Sequence, residues 1–185
     1  MIRIASLVLL CAISLSCVGC FTAAKEGIGA VKGPKGVYAQ VQTVAPSPTS
    51  AALVGYGRFE LQPFADEFAG QTPQLLLDYL SIQFRRHLVQ RGLEQTAGKT
   101  LQVRGAVIYY EGIGGKADLV LGEVEEAVAR VELVDAQTGA VLGRAICIGR
   151  STDRVNVGVE KKADGLAKAI VQWIADNRGL AKTQE

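Results

Sequence analysis

Few side chains in this sequence could act as nucleophiles, bases or metal ligands, and their spacing limits the chemistry open to them. Glu111, Asp118, Glu123, Glu125 and Glu126 crowd one segment. Paired carboxylates can serve a glycosidase, and clustered ones can cage calcium. Here the spacing matches no metal loop, and no helix or strand forces two of them together, so the segment reads as a solvated acidic connection. Gly112-Ile113-Gly114-Gly115-Lys116-Ala117 fits G-x-G-x-x-A, follows a strand, and has Asp135 at the end of another strand. That is the outline of a dinucleotide-binding turn. Against it, the preceding strand carries Gln102 and Arg104, whereas a first Rossmann strand is apolar on both faces. Gly122 also interrupts the segment where its helix would run, and Asp135 opens a DAQTG turn that suits aspartate without any cofactor.

His87 is the single histidine, which excludes a histidine pair and any histidine-based zinc site of the usual kind. It lies on the core-side margin of a helix. Cys147, among Ala145, Ile146 and Ile148, reads as a buried thiol. Arg85, Arg86 and Arg91 gather at a helix end that is either solvated or receives an anionic partner or headgroup. Tyr109, Tyr110 and Trp173 read as core or edge residues rather than stacking platforms. No nucleophile–base or metal set converges, so no catalytic, cofactor-binding or metal-binding residue is assigned, and the chain reads as a non-enzyme.

One cysteine remains whose position is itself chemical. Residues 4–19, IASLVLLCAISLSCVG, carry no charge after Arg3, as in the apolar region of a secretory signal. The whole uncharged run, Ile4 to Ala24, is also about the length of a membrane span, roughly 20 residues. Small and polar residues crowd its end and no Trp, Tyr or basic cluster anchors its far side, which favours cleavage over retention. Cys17-Val18-Gly19-Cys20 resembles the lipobox of bacterial lipoproteins, with Cys17 where leucine is usual; Ser14-Leu15-Ser16-Cys17 is a weaker second match. The resemblance implies diacylation of Cys20 and a chain held to the membrane through it. Each buried methylene adds ~0.8 kcal/mol, and stable anchoring takes two chains or more. Phe21 rather than aspartate after the cysteine implies, for a Gram-negative cell, the outer membrane facing the periplasm.

The elements that follow must carry whatever the domain does. Residues 1–19 read as the signal, 20–36 as the lipidated cysteine with a glycine-rich tether, 37–178 as one domain and 179–185 as a disordered tail. With 20 basic and 18 acidic residues and a net charge of +2, nothing suggests a nucleic-acid binder. VYAQVQTV (37–44) is β-rich. YGRFELQPF (56–64) alternates as a half-buried strand, with Pro63 at an edge or strand end. TPQLLLDYLSIQFRRHLVQRG (72–92) is a helix, with Thr72 as cap, Pro73 at the first helical position and Gly92 as stop. LQVRGAVIYYE (101–111) alternates Leu101, Val103, Gly105, Val107 and Tyr109 against Gln102, Arg104 and Tyr110. AVARVELVD (127–135) and AVLGRAICIGR (140–150) form a hairpin with Gly139 at positive φ. VEKKADGLAKAIVQWIADN (159–177) is the second helix, weakened by Gly165. The order β-β-α-β-β-β-α predicts an α+β two-layer sandwich: a mixed or antiparallel sheet of about five strands with two helices on one face.

The phrases LLLDYLSIQFRRHLVQRGL, LQVRGAVIYYEGIGGKA, ARVELVDAQTGAVLGRA and ADGLAKAIVQWIADN, across residues 37–177, resemble the domain of unknown function numbered 4410 of bacterial envelope lipoproteins. The resemblance implies an α/β domain and no carried-over catalytic residues. The expectation is a lipid-anchored envelope protein whose noncatalytic domain binds an envelope protein partner or supports an assembly. The alternatives are a small-ligand or cell-wall-glycan binder using residues 112–126 and the two tyrosines, and a carboxylate-based hydrolase.

Overall fold

The computed structural model describes residues 34–42, 53–95, 97–111, 125–151 and 158–178. Among these described residues, six strands and two helices follow in the order β1 (Lys35–Gln42), β2 (Tyr56–Leu61), β3 (Ala65–Asp66), α1 (Gln74–Gln90), β4 (Lys99–Tyr110), β5 (Glu125–Asp135), β6 (Val141–Ser151) and α2 (Val159–Arg178). The sheet runs β1-β6-β5-β4-β2, with β3 also on β4. The pairs β1–β6, β6–β5 and β5–β4 are antiparallel, while β2 and β3 run parallel to β4. The parallel pairing requires a crossover, and α1 supplies it. The fold is the expected two-layer α+β sandwich with an open mixed sheet. The two-residue β3 is an addition: after the excursion at Pro63 and Phe64, the chain returns to the same edge of β4, with Glu67 N donating to the Val107 carbonyl at 2.9 Å.

The inner face of the sheet divides by side-chain size. Under α2 it is built from Ala127, Ala129, Ala145 and Cys147, all fully buried. Gly36 and Gly149 are cross-strand partners there. A Cβ on Gly149 would collide with the Lys162 carbonyl and the Leu166 amide, and one on Gly36 with the Gly165 carbonyl. Gly165 of α2 completes the contact, since a Cβ there would stand 2.7 Å from the Lys35 carbonyl. The three glycines let helix backbone rest on strand backbone. Gly165, a weak residue for a helix interior, is there for this seat. It also explains why β1 begins at Lys35, two residues before the β-rich run at 37.

Under α1 the filling is bulkier. Leu76, Leu80, Phe84 and Leu88 enter the same core as Leu101, Val103, Val107, Val131 and Leu133. The Phe64 ring lies against Gly105, where a Cβ would stand 2.6 Å from the ring carbons.

Two local expectations are corrected. Thr72 does not cap α1. Pro73 occupies the N-cap with extended backbone and no side-chain cap, because the Thr72 hydroxyl and amide both donate to Asp66, at 2.8 and 3.3 Å. The far end behaves as read. Gly92 has φ +61°, its N–H reaches the Val89 carbonyl, and Leu93 N reaches the Leu88 carbonyl, each at 3.0 Å. This double closure with Leu88 and Leu93 both buried is a Schellman stop. The second correction concerns β4. A bulge between Val107 and Tyr109 shifts the register against β5, and one extra residue inverts the alternation beyond it. Tyr109 is therefore on the outer face and Tyr110 on the inner one, the reverse of the simple pattern.

Gly149→Ala is expected to cost about 3 kcal/mol of unfolding free energy, as an overpacked close contact does. Gly139→Ala, at φ +72° in open space, should cost only about 1 kcal/mol. Urea denaturation of both variants checks the ranking, and equal costs would refute the backbone seat.

Candidate functional site

Five sets of polar contacts join the elements of the fold. Asp164, on α2, receives Arg86 Nη2 at 2.5 Å and His87 Nε2 at 2.7 Å on the same carboxylate oxygen. Adjacent residues of α1 thus grip one acid of α2. Burial pushes the Asp164 carboxyl up, but the His87 bond and charge with the Arg86 guanidinium outweigh it and hold it below the ordinary carboxylate range. At the hairpin, Tyr56 donates to Asp135 Oδ2 at 2.5 Å, while Asp135 Oδ1 accepts the Gln137 and Thr138 amides at 2.8 and 2.9 Å. The Tyr56 bond first, then those amides, lower Asp135 to about 2. Burial and the same carboxylate raise the Tyr56 phenol.

Lys162, fully buried in the first turns of α2, lies 4.4 Å from the Tyr110 ring centroid. Its ammonium donates to the Tyr110 hydroxyl at 3.3 Å and to the Glu111 carbonyl. Near the other end of α2, Tyr38 donates to Asp176 at 2.6 Å and its ring meets Trp173. Arg178 donates to the Leu93 carbonyl at 3.0 Å. Each of these contacts ties a helix to a strand, a turn or the other helix.

The sheet face away from the helices is banded. Val37, Ile148, Val128 and Tyr109 are successive cross-strand partners, so one apolar row crosses four strands. Phe68 stacks edge-on against Tyr109 at 5.5 Å. Ion pairs flank the row: Arg150–Glu126 at 2.6 Å on one side, Arg130–Glu67 at 2.7 Å and Arg144–Glu132 at 2.6 Å on the other. On α1, Leu75, Ile82 and Val89 are exposed.

The sequence candidates distribute as follows. Cys20, the proposed lipidation site, lies outside the described residues, as do Gly112–Ala117, Asp118 and Glu123. Asp135 serves its turn. His87 is partly buried and pairs with Asp164, a residue that sequence reasoning passed over. Nothing near it in the sequence marked it out, since Glu160, Lys161 and Lys168 share its side of the helix. Of the three arginines, Arg86 joins that clamp, and Arg85 meets Glu94 only at 3.8 Å with its side chain 80% exposed. Cys147 is fully buried, and burial pushes its thiol well up, away from the reactive thiolate. Trp173 is in the core. Tyr109 and Tyr110 face opposite sides and form no shared platform. Among the described residues no three His, Cys, Asp or Glu side chains gather as metal ligands, and no helix is long and apolar enough to cross a membrane.

The chain is similar to solved structures of low identity. A PelC dodecamer subunit from Paraburkholderia phytofirmans is 14% identical, with a TM-score of 0.43, covering 80% of this chain and 99% of that one. A minor lipoprotein from Acinetobacter baumannii is 19% identical, with a TM-score of 0.39, covering 66% of this chain and 95% of that one. No family model and no curated protein matches the chain, so the likeness to the domain numbered 4410 remains a resemblance.

Tyr56→Phe removes the largest cause of the low Asp135 value. A carboxyl depressed in the folded state contributes stability above its unfolded value, and that stability is lost as pH falls through the folded value. The variant's deficit should therefore be largest at neutral pH and should shrink as pH drops from about 4 toward 2. Denaturation across a pH series reads this. A deficit independent of pH would show that the bond does not depress Asp135.

Proposed function

We propose that this protein is a lipid-anchored bacterial envelope protein whose domain is noncatalytic and acts in protein interaction or assembly support. One observation carries the noncatalytic half. Asp135, Lys162, Asp164 and Arg178, the buried charged side chains among the described residues, are all engaged in bonds that join elements of the fold. A catalytic acid or base needs instead to face a site where substrate can reach it. The apolar row on the open sheet face and the exposed aliphatics of α1 give the domain surfaces suited to macromolecular contact.

The anchor rests on the sequence. Cys20 follows the uncharged run, and two or more acyl chains there would hold the domain at a bilayer. The glycine-rich residues 21–34 would then separate the domain from the membrane. The resemblance to the domain numbered 4410 supports the same reading, and Phe21 favours the outer membrane, facing the periplasm, in a Gram-negative cell.

Intact mass spectrometry of the chain from its native membrane, beside Cys20→Ala, tests the anchor. The expected mature form begins at Cys20 and carries acyl mass. The variant should lose that mass and leave the membrane fraction. An unacylated chain, or one retaining residues 1–19, removes the anchor from the reading. In-cell cross-linking of the anchored chain tests the interaction role, and recovery of no envelope protein, other copies of this chain included, counts against it.

A further inference from the structure

Helix α1 carries two apolar faces. Leu76, Leu80, Phe84 and Leu88 enter the core, while Leu75, Ile82 and Val89 point away from it, 51%, 60% and 60% exposed. Residues spaced by seven follow one another along a helix with only slow drift, and these three make a stripe about 21 Å long at 1.5 Å per residue. An open depression of about 590 Å³ lies along its C-terminal half, lined by Ser81, Ile82, Arg85, Arg86, Val89 and Gln90.

The stripe is self-complementary. Ile82 is its centre, with Leu75 seven residues before and Val89 seven after. A two-fold axis through Ile82 would place Ile82 on its own copy and Leu75 on Val89 of the second copy. The charges obey the same symmetry. At 100° per residue, Asp78 and Arg85 fall on one flank of the stripe, Asp78 in the N-terminal half and Arg85 in the C-terminal half. When helices pack antiparallel, like flanks face each other, so Asp78 of each copy meets Arg85 of the other. A parallel pair would set the Arg85 flank against the Arg86 flank, cation on cation. Arg85 is available for exchange, since its contact with Glu94 is 3.8 Å and exposed. Antiparallel packing also opposes the helix dipoles favourably.

We propose that the outer face of α1 is a self-association surface, on which a second copy of this chain packs antiparallel about a two-fold axis at Ile82. The inference goes beyond the functional reading above and needs neither the anchor nor an envelope partner. Three half-exposed aliphatic side chains and their flanks fall short of the roughly 800 Å² per partner of a standard interface. The pair is therefore weak in dilute solution, and confinement raises its occupancy.

Variants that each add one cysteine to the full chain, in mild detergent under mild oxidation, test the register. The parent chain and Ala136→Cys, at the exposed hairpin turn, are the controls. Ile82→Cys should give a disulfide-linked dimer well above both. Leu75→Cys and Val89→Cys, each alone, should stay at control level, because each lies about 21 Å from its own copy. Mixed together, those two should cross-link. Asp78→Arg should cut the Ile82→Cys dimer yield about tenfold, and adding Arg85→Asp should restore it. Control-level cross-linking at Ile82→Cys overturns the proposal. So does self-linking at Leu75→Cys and Val89→Cys that equals Ile82→Cys, which marks parallel or indiscriminate contact. The mass of residue 20 measured on the same samples reads loss of the anchor separately from loss of the pair.

Discussion

The backbone contact of α2 with β1 and β6 is the constraint on which the rest of this structure depends. Gly36, Gly149 and Gly165 remove the side chains that would hold helix and sheet apart. Once the helix sits that low, the neighbouring inner positions must be small, and they are: Ala127, Ala129, Ala145 and Cys147. α1 has no such seat and rides on leucine and phenylalanine. The two helices stand at different heights over one sheet, and polar contacts bridge the step between them. Arg86 and His87 reach across from α1 to Asp164 of α2. Arg178 reaches back from α2 to the chain just after α1.

Much of this arrangement is legible in the sequence, and the exceptions have physical causes. The hairpin, with Asp135 and Gly139, is local chemistry, and it reads directly. So does the Gly92 stop. β5 alternates up to Leu133 and β6 alternates after Val141, because each has one wet face. The inversion at Tyr109 and Tyr110 was not legible, because a bulge is set by how two strands pair and leaves no mark on either strand alone. Gly165 read as a weakness of its helix; its purpose depends on Gly36 and Gly149, far away in sequence. Asp164 was missed for the same reason. Its partners sit more than seventy residues earlier, and nothing in ADGLAKA distinguishes a clamp from a solvated acid. Thr72 shows the opposite error, since a good local cap lost to a competing acceptor at Asp66. The lipidation site Cys20 and the glycine-rich segment after β4 lie outside the described residues, so for them the sequence is the whole argument.

The open face of the sheet shows how a β-layer can be half apolar and still stand in water. The row from Val37 to Tyr109 is a single line of side chains, and arginine–glutamate pairs stand on either side of it. Exposed pairs of this kind contribute little stability, about 0–1 kcal/mol each. Their value is in placement: they fix which residues face outward, since a slip of one residue would bury the charges and expose the core. The interior polar clusters act in the same way, specifying which element meets which.

Cys147 turns the close seat of α2 into a clock. It is the only cysteine after residue 20, and it lies in β6 with no exposed surface. A thiol reagent reaches it when α2 lifts from the sheet. The rate at which that sulfur is modified therefore reports how often helix and sheet separate. The protein carries its own gauge of how often the whole layer comes apart, readable at a single atom without denaturant.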